Sequence, residues 1–86
     1  MWIVEVAISP TPQRLAARPA HRELLAKLHS EGKVKMAGPL ADDSRAFVVF
    51  DVPDRGALDE LITADPYYAT PGVAIIAVHE WKPFIP

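Results

Sequence analysis

The sequence predicts an α+β fold, and three observations predict it. Four short stretches rich in Val, Ile and Phe alternate with two helical stretches in the order β-α-β-β-α-β. The chain has 86 residues, enough for one hydrophobic core and too few for two. Half of the residues are hydrophobic and 23% are charged, which is a globular balance, not a disordered one. Right-handed crossovers leave few layouts for this element order. The expected one is ferredoxin-like, with four antiparallel strands and both helices on one face of the sheet.

Each element has its own reason. Trp2 to Ile8 is apolar at nearly every position, with only Glu5 charged, as in a strand covered on both faces. The segment "SPTPQRLAAR" reads as a loop with two prolines, and Pro19 suits the first turn of a helix, where a missing N–H costs nothing. That helix, "RPAHRELLAKLHS", is expected to end near Ser30, with Gly32 as its stop. "KVKMAGPL", Lys33 to Leu40, reads as a second strand, "ADDS" as a turn and "RAFVVFDV", Arg45 to Val52, as a third strand. Pro53 opens a second helix through "DRGALDELITAD". It stops at Asp65, because a residue before proline is pushed out of helical geometry. "PYYATPG" is a loop, "VAIIAVHEW" a fourth strand and "KPFIP" a tail. With no repeat, linker or low-complexity segment, residues 1–86 read as a single domain.

The strands imply a partner. In the fourth, strict alternation puts Val73, Ile75 and Ala77 on one face and Ala74, Ile76 and Val78 on the other. In the third, Ala46, Val48 and Phe50 oppose Phe47 and Val49. Two helices cover only one face, so a second copy of the chain is the simplest cover for the other, and a sheet-to-sheet homodimer is expected.

Other classes are disfavoured. Net charge is −2 and no basic stripe exists to neutralise phosphates, so nucleic acid is not expected as a partner. The chain has no cysteine, which excludes disulfides, thiolate metal sites and a cysteine nucleophile. "MWIVEVAIS" lacks the basic start of a signal peptide, and no apolar run approaches the roughly 20 residues of a membrane helix. A soluble, cytoplasmic protein is expected. His21, His29 and His79 show no ligand spacing, and no P-loop, dinucleotide fingerprint or G-x-S-x-G is present. Neither a metal nor a cofactor is expected.

The polar residues converge on one end of this layout. His21, Leu24, Leu25 and Leu28 share a helix face, which turns His21 towards the sheet. Ala57, Leu61 and Asp65 do the same in the second helix. A cation at a helix start and a carboxylate at a helix end each oppose the dipole, by about 0.3–1 kcal/mol. Pairing His21 with Asp65 repairs both: Asp65 would accept a proton from one ring nitrogen and leave the other free for a ligand. The bland alternative is a buried pair that only locks the two helix ends together. Gly38, Pro39, Ser44, Tyr67 and Tyr68 collect at the same end and favour a pocket. Arg14 reads as a solvated loop residue, whereas Arg18, beside the helix start, could meet an anionic ligand. Gly38 would allow close backbone approach, Ser44 would shape the turn or bind a ligand, and the tyrosines would line the pocket. His29 suits a helix C-terminus, and His79 a rim or dimer contact.

At this point "RPAHRELLAKLHSEGKVKMAGPL" and "ADPYYATPGV" resemble the YCII-related family, over nearly the whole chain. The R-P-x-H helix start, the A-G-P strand and the A-D-P-Y helix end carry the resemblance. It implies a ferredoxin-like fold that dimerises as an α+β barrel, with an active site centred on His21 and Asp65. It also implies kinship in fold with small dimeric isomerases, lyases and monooxygenases. The short "ADDSR" connection departs from the longer glycine-rich insert of many members. The expected function is cofactor-independent acid/base proton transfer on a small cyclic or aromatic metabolite, by an isomerase or a lyase of the dehydrohalogenase kind. The alternative is a dimeric module that binds a metabolite or partner without catalysis.

Overall fold

The computed structural model describes residues 1–86. Its elements are β1 (Trp2–Ile8), α1 (Pro12–Ser30), β2 (Val34–Pro39), β3 (Arg45–Phe50), α2 (Arg55–Ala64), a short 3₁₀ turn (Pro66–Ala69) and β4 (Val73–Glu80). The four strands form one antiparallel sheet in the order β2-β3-β1-β4, so the fold is the expected ferredoxin-like α+β arrangement. No helix is long and apolar enough to cross a membrane.

One face of the sheet carries the core. Val4, Val6, Ile8, Val34, Val48 and Phe50 pack there against Leu28 of α1 and Leu58 of α2. Phe50 and Leu58 are essentially sealed from solvent, each contributing about 1.5–3 kcal/mol by burial. The opposite face pairs Ile3 with Val49 and Glu5 with Phe47. There the Glu5 carboxylate accepts from Arg45 Nη1 at 2.6 Å and lies 4.0 Å from His79 Nε2.

Two local readings need correction. First, α1 begins seven residues earlier than Pro19. Thr11 is its N-cap, accepting from the Arg14 N–H at 3.1 Å, and Pro12 supplies the first helical position. Pro19 sits inside the helix instead. It and Leu15, whose carbonyl loses its partner, are both exposed, so water can replace the missing hydrogen bond. The helix start is tied down from the far end of the chain: Thr11 Oγ1 donates to the Pro71 carbonyl at 2.6 Å, and the Ser9 N–H donates to Gly72 at 2.9 Å. Gly72 has a φ of +96°, and a Cβ there would lie 2.3 Å from Thr11 Oγ1, so this contact requires glycine. The second helix, by contrast, starts later than expected, at Arg55, with Asp54 as its cap.

Second, β4 does not alternate strictly. Val78 faces Val4 and Ala77 faces Glu5, but Val6 faces Ile75, so Ile76 is an extra residue opposite the Glu5–Val6 step. The bulge rotates the strand, so Val78 packs on the core together with Val73 and Ile75, and Ile76 is left 46% exposed.

Candidate functional site

Three elements meet at one end of the sheet. α1 presents Arg14, Arg18, His21, Arg22 and Leu25 along one face. The residues after α2 form the 3₁₀ turn that carries Tyr67 and Tyr68. The ends of β2 and β3 supply Ala37, Gly38, Pro39 and Ala46 to Val48. Between them lies a cavity of about 120 Å³ open to solvent, close to the size at which an apolar cavity takes a single benzene ring.

The centre is an imidazole–carboxylate pair. His21 Nδ1 lies 2.5 Å from Asp65 Oδ2, with both side chains buried. An ionised carboxylate only accepts, so the contact assigns the ring proton to Nδ1. The other carboxylate oxygen, Oδ1, accepts the Tyr67 N–H at 3.0 Å. Asp65 is therefore not an inward residue of α2, as helical spacing suggests. It leaves helical geometry (φ −106°, ψ 106°), caps the following 3₁₀ turn, and is aimed by that role. His21 also lies elsewhere than expected, about two and a half turns into α1, where the helix dipole has little hold on it.

Aromatic packing fixes the ring. Tyr67 stacks on His21 with centroids 3.9 Å apart and planes within 8°. Tyr68 meets His21 edge-on at 5.4 Å. Tyr67 is held in turn by Arg14, whose Nε donates to the Tyr67 hydroxyl at 2.9 Å. Arg14 is thus a buried residue of the site, correcting its reading as a solvated loop arginine. His21 Nε2 has no hydrogen bond within the protein, and the ring lines the cavity.

Of the residues expected at the site, the structure brings together His21, Asp65, Arg18, Gly38, Pro39 and Tyr67, with Asp65 behind the His21 ring and the others on the cavity wall. Ser44 is not among the lining residues. Its hydroxyl donates to Asp42 Oδ1 at 2.6 Å and its N–H at 3.0 Å, which closes the turn and holds the Asp42 carboxyl below its usual range, with Arg45 nearby adding to the effect. A Cβ at Gly38 would meet nothing within 4 Å, so close backbone approach does not account for that glycine. Sequence reasoning missed Arg22 and Asp43 on the wall. The arginines recur at every fourth position, 14, 18 and 22, but that spacing carries meaning only once α1 is known to begin at Pro12. No group of three His, Cys, Asp or Glu side chains is placed to hold a metal.

A family profile for the YCII-related domain matches residues 2–82. The chain belongs to the YCII-related family. Among solved structures it is similar to a 5-chloro-2-hydroxyhydroquinone dehydrochlorinase from Burkholderia phenoliruptrix AC1100, in complex with 2,5-dihydroxybenzoquinone. The TM-score is 0.63 at 17% identity, over 95% of this chain and 94% of the other. No curated protein is significantly similar in sequence. At that identity the structural likeness speaks for the fold alone.

One feature of the site has a direct cost. The Tyr68 hydroxyl is buried with no hydrogen-bond partner. Burial pushes its ionisation well above the ordinary tyrosine range, with the nearby Asp65 and Tyr67 adding to the effect. Above pH about 10 the unfolded chain releases this proton and the folded chain keeps it, so stability falls as pH rises. Tyr68→Phe is expected to raise stability near neutral pH by up to about 1–3 kcal/mol, the cost of an orphaned hydroxyl, and to flatten the alkaline loss. Thermal unfolding of both proteins near neutral and at alkaline pH checks this; a less stable variant at neutral pH would contradict it.

Proposed function

We propose that this YCII-related domain is a small cofactor-independent enzyme in which His21 moves a proton on a cyclic or aromatic substrate. The observation that carries the reading is the division of labour on one buried imidazole. Nδ1 is committed to Asp65 at 2.5 Å, while Nε2 has no protein partner and the ring borders a cavity. Such a ring has one basic nitrogen free to take a proton, and its orientation is fixed on the other side. Asp65 is a positioning residue: it holds the tautomer and stabilises the imidazolium that forms when Nε2 is protonated. The stacked Tyr67 keeps the ring plane in place, and Val6, Ile8, Leu25 and Val48 give the cavity an apolar wall for a substrate ring. Tyr68 packs edge-on against the ring.

A proton returned to a different atom gives isomerisation, and loss of a leaving group from the adjacent carbon gives elimination. The second matches the chemistry in the name of the structurally similar dehydrochlorinase, which supports a lyase-type reaction on a hydroxylated ring. Incubation with 5-chloro-2-hydroxyhydroquinone and a panel of related rings in D2O, read by chloride release and proton NMR, tests the reading. The activity found is expected to fall by about 10²–10⁴-fold in His21→Asn and by less in Asp65→Ala. Activity that survives His21→Asn would sink the proposal.

The working unit is a homodimer packed through the outer face of the sheet. Ile3, Phe47 and Val49 form an apolar strip there, Ile76 and Met36 are exposed beside it, and an open groove runs between Met36, Val49, Trp81 and Ile85. A symmetric second copy covers such a face with the same residues on both sides. Sedimentation is expected to give twice the 9.4 kDa chain mass, and Ile76→Asp, at a position outside the core, to give a folded monomer. A wild-type monomer at micromolar concentration would refute this assembly.

A further inference from the structure

Three arginines line the cavity, and none of them meets a carboxylate. Arg14, Arg18 and Arg22 recur at every fourth position along the inner face of α1. The ion pairs of the chain join other residues: His21 to Asp65, Lys33 to Glu31, Lys35 to Asp51, Arg45 and His79 to Glu5, and Arg55 to Asp59. Arg14 is buried, and its hydrogen bonds go to two neutral oxygens, the Tyr67 hydroxyl and the Ser9 carbonyl. Asp43 is the one acidic residue on the wall, and it lies beyond 4 Å from every guanidinium. The wall therefore carries two more positive than negative charges, in a chain whose net charge is −2.

A buried guanidinium without a counter-anion is costly, and a local positive excess on an acidic protein has to be answered by something. A planar guanidinium fork matches a carboxylate or a phosphate with two parallel hydrogen bonds, and phosphate sites commonly add a nest of backbone N–H groups from a glycine-rich loop. This wall has no such loop. Its remaining surface is the apolar Val6, Ile8, Leu25 and Val48 with the stacked His21–Tyr67 pair, and the volume suits one ring.

We propose that the substrate is a carboxylate-bearing ring, its carboxylate taken by Arg18 and Arg22 over the buried charge of Arg14, and its ring laid towards His21. This deepens the proton-transfer reading and rests on it for the orientation of the ring. Arg18 and Arg22 are specificity residues on this account: they choose an acid over its neutral isostere. Arg14 holds Tyr67 and adds its field.

The probes are benzoate, benzamide and inorganic phosphate, titrated into the full chain and followed by calorimetry and by the His21 ring signals in NMR. Benzoate is expected to bind about 10-fold or more tighter than benzamide, in line with a charge-assisted pair, and to weaken as salt is raised. Arg18→Gln and Arg22→Gln, half-buried and exposed respectively, keep the fold and are each expected to weaken benzoate about 5- to 10-fold while leaving benzamide unchanged. His21→Asn should retain benzoate binding, so a failure of the base leaves this result standing, and the reverse also holds. Equal binding of benzoate and benzamide, indifference to both arginine substitutions, phosphate bound as tightly as benzoate, or no benzoate binding would each overturn the proposal.

Discussion

A carboxylate only 5% exposed persists where hydrogen-bond donors replace the water it has lost, and the Asp65 carboxylate finds two of them. Its Oδ1 takes the Tyr67 N–H, which closes the 3₁₀ turn after α2. Its Oδ2 takes His21 Nδ1, which ties that turn to the middle of α1. One side chain therefore joins local backbone geometry to a contact 44 residues away. The position of Tyr67 follows from the turn, the stacking on His21 follows from Tyr67, and with Nδ1 committed to Asp65 the other ring nitrogen, Nε2, is the one without a protein partner. Remove the carboxylate and the turn loses its cap, the ring loses its tautomer, and the stack loses its register.

The site departs from what stability alone would select. It buries a guanidinium against neutral oxygens, leaves the Tyr68 hydroxyl without a partner, and gathers three arginines on one helix face. The buried guanidinium and the orphaned hydroxyl cost folding free energy in a domain small enough to be marginal by itself. Elsewhere the chain is economical: α1 has a threonine cap followed by proline, and Val4, Val6, Phe50 and Leu58 are almost fully buried in the core. Departures of this kind, clustered around one cavity, are what the proposed ligand-binding role would explain. On the outer face of the sheet Ile76 is left 46% exposed by the β4 bulge.

Much of this was legible in the residues. Element order, the antiparallel sheet and the inward turn of His21 follow from periodicity, because period 2 and period 3.6 are distinct in Arg45–Phe50 and in Leu24–Leu28. What escaped was set by interactions distant in sequence. The two prolines of "SPTPQ" suggest a loop, but Thr11 caps a helix there because Pro71 and Gly72 are on hand to hold it. That error hid Arg14, and with it the every-fourth-residue spacing of the arginines. The β4 bulge was invisible because alternation in "VAIIAV" is the same with or without one extra residue; only pairing with β1 reveals it. Of the two roles the sequence leaves open for Ser44, the structure shows the turn, since Asp42 sits two residues away and takes its hydroxyl.

If Asp65 fixes the proton of His21 on Nδ1, Nε2 is left bare. Two-bond proton–nitrogen correlation NMR of the imidazole, recorded on the neutral ring, reads that arrangement directly. The wild-type protein is expected to show a protonated Nδ1 and a bare Nε2, and Asp65→Ala to lose that preference. A wild-type ring that carries its proton on Nε2, or a Nδ1–H tautomer that survives the loss of Asp65, would contradict it.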